Sequence, residues 1–367
     1  MGKVTRQVQE ASSKSAAAKG SSSKSVTVPP PLAVPHINIE MRERFHRHFY
    51  FHGKDNQPEL EAERKACHWC QIISFTTAKL APISIVNPVD DECLPKDFVF
   101  IQHCVPGEGI YLPDAEFLSG CDCKKTSSCK YAKCHCLQDM TILDKRRPEV
   151  YVYKSVNGGE YLREEYLDTR EPIYECNSKC SCDDGCPNRV VEKGRTVPLQ
   201  VFRTSDNRGW GVRCLRDVKK GQFIDRYVGE LITTEETEMR RQQSVISQKK
   251  DVYLFELDKF KGDSDRDPSL ANTVFVDGEF KSGPSRFINH SCDPNLRIFA
   301  RVSDHALKRF HDLAFFAIKD IPANTELTFD YVDGEDEKLE EEKKDPGHRK
   351  EMTRCLCKAK NCRGYLW

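Results

Sequence analysis

Neither sign of charge is in surplus: lysine plus arginine and aspartate plus glutamate each number 57 in 367 residues. A global electrostatic grip on nucleic acid needs excess cations, so any partner should be read by a local groove. No run of about 18 apolar residues occurs, which excludes a helical membrane span. The polar start Met1–Glu10 lacks the apolar stretch of a signal peptide, and Arg6 stands where N-myristoylation wants Ser or Thr. No Gly-x-Gly-x-x-Gly follows an apolar strand, which argues against a Rossmann cofactor fold. The paired histidines of the common DNA-reading finger are missing too.

Cysteine is abundant, with 18 residues. Without a secretory signal, thiolates bound to metal are favoured over disulfides. Hydrophobic residues at 38% and charged residues at 31% allow a sizeable core in one large domain or two ordinary ones.

Residues 1–35 are rich in Ser, Ala, Lys and Pro and should form a disordered, mildly basic leader. Residues 36–118 read as ordered, with strand-like pieces at Ile83–Val86 and Phe98–Gln102. Cysteines dominate from Gly120 to Pro187. Then come short apolar runs bounded by turn residues: Leu199–Phe202, Gln222–Val228, Val252–Leu257, Thr273–Val276, Arg297–Val302 and Leu313–Ile318. That pattern predicts a mainly β fold of small sheets. One helix should open at Thr233, with Glu236 completing a capping box, and run towards Lys249. The charged stretch 333–352 reads as a flexible insert before a last cysteine group.

Nine cysteines fall together: Cys121, Cys123, Cys129, Cys134, Cys136, Cys176, Cys180, Cys182 and Cys186. An odd number cannot all pair as disulfides. Three tetrahedral zinc ions need about twelve ligand positions, which nine thiolates supply if three bridge two metals each. A closed thiolate shell leaves no open position, so the role is structural. Lys124, Lys125, Lys130, Lys133, Lys179 and Arg189 would offset its negative charge. A second group, Cys355, Cys357 and Cys362, is one ligand short of a zinc site. Cys67, Cys70, Cys93, Cys104 and Cys214 read as ordinary buried thiols, with the Cys67-His68-Trp69-Cys70 spacing as an alternative metal site.

Two segments, Arg286–Asn295 and Glu326–Tyr331, resemble the signature of SET-domain methyltransferases. Upstream, Arg208–Val212 and Tyr227–Glu230 are similar to that family's opening cofactor-binding strand and next element. The cysteine groups resemble its pre-SET and post-SET segments, and the combination resembles the Su(var) group of histone H3 lysine-nine enzymes, in particular its filamentous-fungal branch.

The resemblance implies an N-terminal segment (36–118) packed on the SET domain, a pre-SET tri-zinc domain (119–190), a SET domain (196–332) with a pseudoknot, and a post-SET zinc segment (353–367). It further implies that Arg208, Gly209, Trp210, Tyr253, Arg286, Asn289, His290 and Trp367 bind S-adenosylmethionine. Cys292 would complete the last zinc site; Tyr331 and Tyr227 would hold the target amine; Phe329 would line the lysine channel and Asp258 would read the arginine before the lysine. The implied partners are the H3 tail, nucleosomes and heterochromatin proteins, without sequence-specific DNA binding, in nuclear chromatin and gene silencing. Phe329 in place of a tyrosine implies trimethylation. The competing readings are a methyltransferase of another protein lysine, a zinc-rich nucleic-acid module, and an inactive zinc-rich chromatin scaffold.

Overall fold

The computed structural model describes residues 80–90, 92, 94–95, 98–243, 253–263, 272–332, 344 and 352–366. The expected leader, Cys67, Cys70, Cys93, most of the 333–352 insert, the helix beyond Gln243 and Trp367 lie outside the described residues.

Among the described residues the chain is built of short strands. A five-stranded sheet runs in the order β1 (Ile83–Val86), β7 (Leu199–Arg203), β8 (Trp210–Cys214), β17 (Glu326–Phe329) and β14 (Asn289–His290). A second sheet orders β11 (Leu254–Glu256), β12 (Val274–Asp277), β10 (Glu230–Thr233) and β3 (Val105–Pro106). A third orders β6 (Ile173–Tyr174), β15 (Leu296–Val302), β16 (Asp312–Ala317) and β9 (Phe223–Tyr227). Two pairs remain: β2 (Val99–Phe100) with β13 (Lys281–Ser282), and β4 (Tyr153–Val156) with β5 (Gly159–Leu162). Among the described residues the α-helices are α1 (Glu164–Leu167) and α2 (Thr234–Gln243), and no helix there is long and apolar enough to cross a membrane.

Each apolar run singled out above coincides with a strand to within about two residues at either end. The β4–β5 hairpin was not anticipated, although Asn157 (φ 50°) and Gly158 (φ 80°) form the left-handed turn that Asn-Gly favours. At α2, Thr233 Oγ1 accepts the Glu236 N–H at 3.2 Å, so the cap is real. The box closes only halfway, because the Glu236 carboxylate accepts from Arg240 Nε at 2.7 Å instead of reaching back.

Sheet β6-β15-β16-β9 is covered on both faces, which explains the unbroken apolar run of β16. Leu313, Phe315 and Ala317 enter one core with Ile224, Val212 and Leu327. Ala314 and Phe316, pointing the other way, enter a second core with Phe223, Phe299 and the pre-SET cysteines. The cysteine cluster is therefore packed against one face of this sheet.

The two signature segments cross. β14 runs parallel to β17 with Asn289 opposite Thr328 and His290 opposite Phe329. Asn295 then clasps β17, its Nδ2 donating to the Glu326 carbonyl at 2.8 Å and its Oδ1 accepting the Thr328 N–H at 2.8 Å. This knot brings two loops distant in sequence to one place.

Candidate active site and metal centres

On one side of the knot lies a cleft of about 390 Å³. Arg208, Gly209, Trp210, Tyr253, Arg286, Asn289 and His290 all line it, together with Arg354, Leu356 and Leu366 of the C-terminal segment. Each polar member is tied down. The Arg208 guanidinium meets the Glu326 carboxylate in a two-pronged pair. Asn289 Nδ2 donates to the Trp210 carbonyl at 3.1 Å. The Arg286 guanidinium lies 4.3 Å from the Tyr253 ring centroid and donates to the Gly278 carbonyl at 3.0 Å.

His290 is neutral, because burial lowers its imidazole to about 4. Its Nδ1 accepts the Tyr331 N–H at 3.1 Å, so the proton sits on Nε2, which is 3.2 Å from the Cys292 sulfur. The imidazole thus joins the backbone of Tyr331 to a cysteine of the C-terminal metal group.

On the other side lies a cleft of about 610 Å³ that includes Phe255, Asp258, Phe329 and Tyr331. Tyr331 lines both clefts. The ring of Phe329 is 4.6 Å from that of Tyr331 and 5.9 Å from Phe255, which stacks 4.4 Å from Tyr227. The Tyr331 hydroxyl donates to the Ile288 carbonyl at 2.7 Å, and burial pushes its phenol well above the ordinary range. Tyr227 is buried, and its hydroxyl donates to the Tyr253 carbonyl at 2.8 Å. Asp258 is exposed just past β11, which is an edge strand of its sheet among the described residues.

Every described cysteine is a free thiol. In the pre-SET cluster three overlapping quartets could each hold a metal: Cys121, Cys129, Cys176 and Cys182; Cys121, Cys134, Cys136 and Cys176; and Cys121, Cys123, Cys129 and Cys134. Their overlap is what shared, bridging thiolates require. Cys180 joins through Cys136 at 3.4 Å, and Cys186 through hydrogen bonds with Cys129 and Cys176. Hydrogen bonds among the neighbouring thiols push Cys134, Cys180 and Cys186 down and Cys129, Cys136 and Cys176 up, as crowding at one place requires. Of the cations expected to offset this charge, Arg189 donates to the Cys182 sulfur at 3.3 Å, whereas Lys130 turns to the Tyr151 ring and Glu149.

The second group gathers Cys292, Cys355 and Cys357 with His290. Cys292 and Cys355 are 3.9 Å apart, and Cys362 hydrogen-bonds with Cys355 and Cys357. Cys292, in the knot, thus lies beside the C-terminal trio.

Three features escaped the sequence reading. Phe255 walls the second cleft; its only cue was an aromatic residue three positions before Asp258. Arg363 clasps Asp330, beside Tyr331, and its N–H reaches the Cys292 sulfur at 3.4 Å. Glu326 had no cue beyond opening the second signature segment.

A family model described as SET domain matches residues 209–332, and one described as Pre-SET motif matches 75–189. The chain is 53% identical over 343 residues to the H3 lysine-9 specific histone-lysine N-methyltransferase KMT1 of Fusarium mangiferae, covering 88% of this chain and 97% of that one. It is 52% identical over 336 residues to the H3 lysine-9 specific dim-5 of Neurospora crassa, covering 89% and 100%. The solved structure of the Neurospora SET domain protein DIM-5, a histone lysine methyltransferase, is similar with a TM-score of 0.63 at 54% identity, over 69% of this chain and 95% of that one. KRYPTONITE, solved in complex with mCHH DNA, an H3(1–15) peptide and SAH, is similar with a TM-score of 0.54 at 25% identity, over 78% and 52%.

Proposed function

The chain belongs to the SET-domain histone-lysine N-methyltransferases, and from that membership we propose that it uses S-adenosylmethionine to trimethylate lysine nine of the histone H3 tail. The observation that carries the reading is Tyr331, whose side chain borders both clefts at the knot. A cofactor in one cleft and a lysine entering from the other would meet there.

Bound in the first cleft, the cofactor supplies a methyl group on a sulfonium sulfur. The chain has to align an amine with it, and alignment of this kind supplies much of the acceleration. The amine must first lose a proton, since lysine titrates near 10.4. An aromatic channel of Phe255, Phe329 and Tyr331 disfavours the ammonium form. Tyr331 is not the base, because burial keeps its phenol protonated at neutral pH. With its proton given to Ile288, the hydroxyl oxygen remains an acceptor for an amine N–H. That contact orients the nitrogen lone pair. Tyr227, with its hydroxyl on the Tyr253 carbonyl, holds the far wall.

The edge of β11, unpaired among the described residues, suits a tail bound as an added strand, with Asp258 at its end facing the arginine before the lysine. The overlapping thiolate quartets and the Cys292 group support four zinc ions, three in the pre-SET cluster and one at Cys292, Cys355, Cys357 and Cys362. Nucleosomal substrates, heterochromatin partners and a nuclear location accompany this reading.

The deciding experiment incubates the full chain with isotope-labelled cofactor and H3 peptides or nucleosomes, then maps products by mass spectrometry. Trimethyl-lysine at position nine is expected. Modification at another lysine, or a stall at monomethyl-lysine under excess cofactor, would reject the corresponding part.

A further inference from the structure

β17 opens with a carboxylate that lines neither cleft yet grips two residues of the first. Glu326 accepts from Arg208 at 3.1 and 2.7 Å, one bond to each oxygen, and from Asn289 Nδ2 at 2.9 Å. Its own position is fixed on two sides. β17 pairs with β8 in the register Glu326 to Arg213 and Leu327 to Val212, and Asn295 holds its carbonyl. On β8, Gly211 leaves room for the carboxylate: a Cβ there would lie 2.9 Å from Glu326 Oε1. Any larger residue would displace the carboxylate from its partners.

Charge adds a second effect. Asp206 grips Arg208 from the opposite side, at 3.0 Å from Nε to both oxygens. One guanidinium between two carboxylates carries a formal charge of −1 as a unit. Lys358 reaches Asp206 at 3.7 Å but is 73% exposed, so solvent screens it. Two further cations line the cleft: Arg286, stacked on the Tyr253 ring, and Arg354, which is exposed, so solvent screens it. Arg208 and Glu326 are only 17% and 20% exposed, so their field is screened less than that of a surface pair.

Resting on the proposed use of S-adenosylmethionine in this cleft, we infer that Glu326 is a positioning residue that fixes Arg208 and Asn289 for the cofactor and, through its charge, favours the sulfonium over the demethylated product. S-adenosylmethionine carries one more positive charge than S-adenosylhomocysteine, and methyl transfer removes it. A negative unit beside the cleft therefore holds fresh cofactor and helps release the spent one.

The test is calorimetric binding of both ligands to the zinc-loaded full chain and two variants. Glu326→Gln removes the charge and one prong of the pair. It should weaken S-adenosylmethionine about tenfold and S-adenosylhomocysteine less, lowering the preference for the former about three- to tenfold. Glu326→Asp keeps the charge but is one methylene too short to span both partners, so it should weaken both ligands alike and leave the preference unchanged. Zinc content and peptide KM should stay at wild-type values in both, which a general loss of structure would not allow. An unchanged preference in Glu326→Gln, or wild-type affinities in Glu326→Asp, overturns the inference; if Glu326→Gln does not fold, Glu326→Asp alone decides the positioning role. A wild-type chain that binds neither ligand rejects the cofactor reading itself, and this inference with it.

Discussion

Phe329 and Tyr331 sit two residues apart with rings 4.6 Å from one another, yet they differ in what they can do. Tyr331 carries a hydroxyl whose proton is committed to Ile288. Replacing it with phenylalanine removes one oxygen and little packing, so melting temperature should hold while turnover falls by about two orders of magnitude or more. Wild-type rates in Tyr331→Phe would end its assignment to the transfer point. Phe329 has no polar atom, so a methylated amine can turn in the channel without displacing an anchored water. Phe329→Tyr should shift the main product to mono- or dimethyl-lysine with little loss of the first transfer, read from the time course of mass spectra. Both residues were legible in the signature segment. The direction of the Tyr331 proton was not, because its acceptor is a backbone carbonyl 43 positions away.

Sheet β6-β15-β16-β9 shows what the strand pattern concealed. Arg301 of β15, a charged residue inside a run read as apolar, is 2% exposed. It bonds Glu175 at 3.0 Å, Asp312 at 3.0 Å and Glu192 at 2.8 Å, joining the pre-SET segment to the catalytic sheet. Periodicity predicted the strand correctly and could not reveal that both its faces are covered, since the second layer is a cysteine cluster without ordinary apolar patterning. Replacing Arg301 with leucine strands the buried Glu175 carboxylate and should cost about 3–5 kcal/mol in denaturant unfolding. A loss within about 0.5 kcal/mol would mean that the backbone N–H groups of Val190, Val191 and Glu192 already satisfy that carboxylate. Acid should act on the same network. Burial opposes ionisation of Asp312, but Arg226 and Arg301 outweigh it and hold the carboxyl below its ordinary value. A depressed carboxyl stabilises the fold fully above the unfolded value of about 3.9 and loses that contribution as pH falls through the lower folded value. Melting temperature should therefore drop on acidification below about pH 4. In Asp312→Asn that drop should be shallower.

Two cysteine groups that could hold metal differ in exposure, and the difference would order the loss of their ions. That the cysteines gather in two groups was the most legible part of the chain, because spacing and count alone set nine thiols together and leave the C-terminal trio one short of a metal site. Where the missing sulfur sits was open to resemblance only; the knot supplies it as Cys292, 3.9 Å from Cys355. In the pre-SET cluster every cysteine except Cys123 is buried, and the cluster forms part of the second core. Cys355, Cys357 and Cys362 are half-exposed on a segment that meets the body through a few contacts, among them Arg363 with Asp330 and Asn361 with the Cys292 carbonyl at 2.9 Å. A chelator competes for each ion as its ligands open, and the C-terminal group can open without dismantling a core. Elemental analysis should find four zinc ions per active chain, and mild chelation should remove one first. Methyl transfer should fall with that first ion while circular dichroism and most of the unfolding transition persist, because Asp330, beside Tyr331, loses Arg363 of the C-terminal segment. The remaining zinc should leave only together with the fold. Loss of all zinc in one step, coincident with unfolding, would contradict this order and make the C-terminal site as much a part of the core as the cluster behind the sheet.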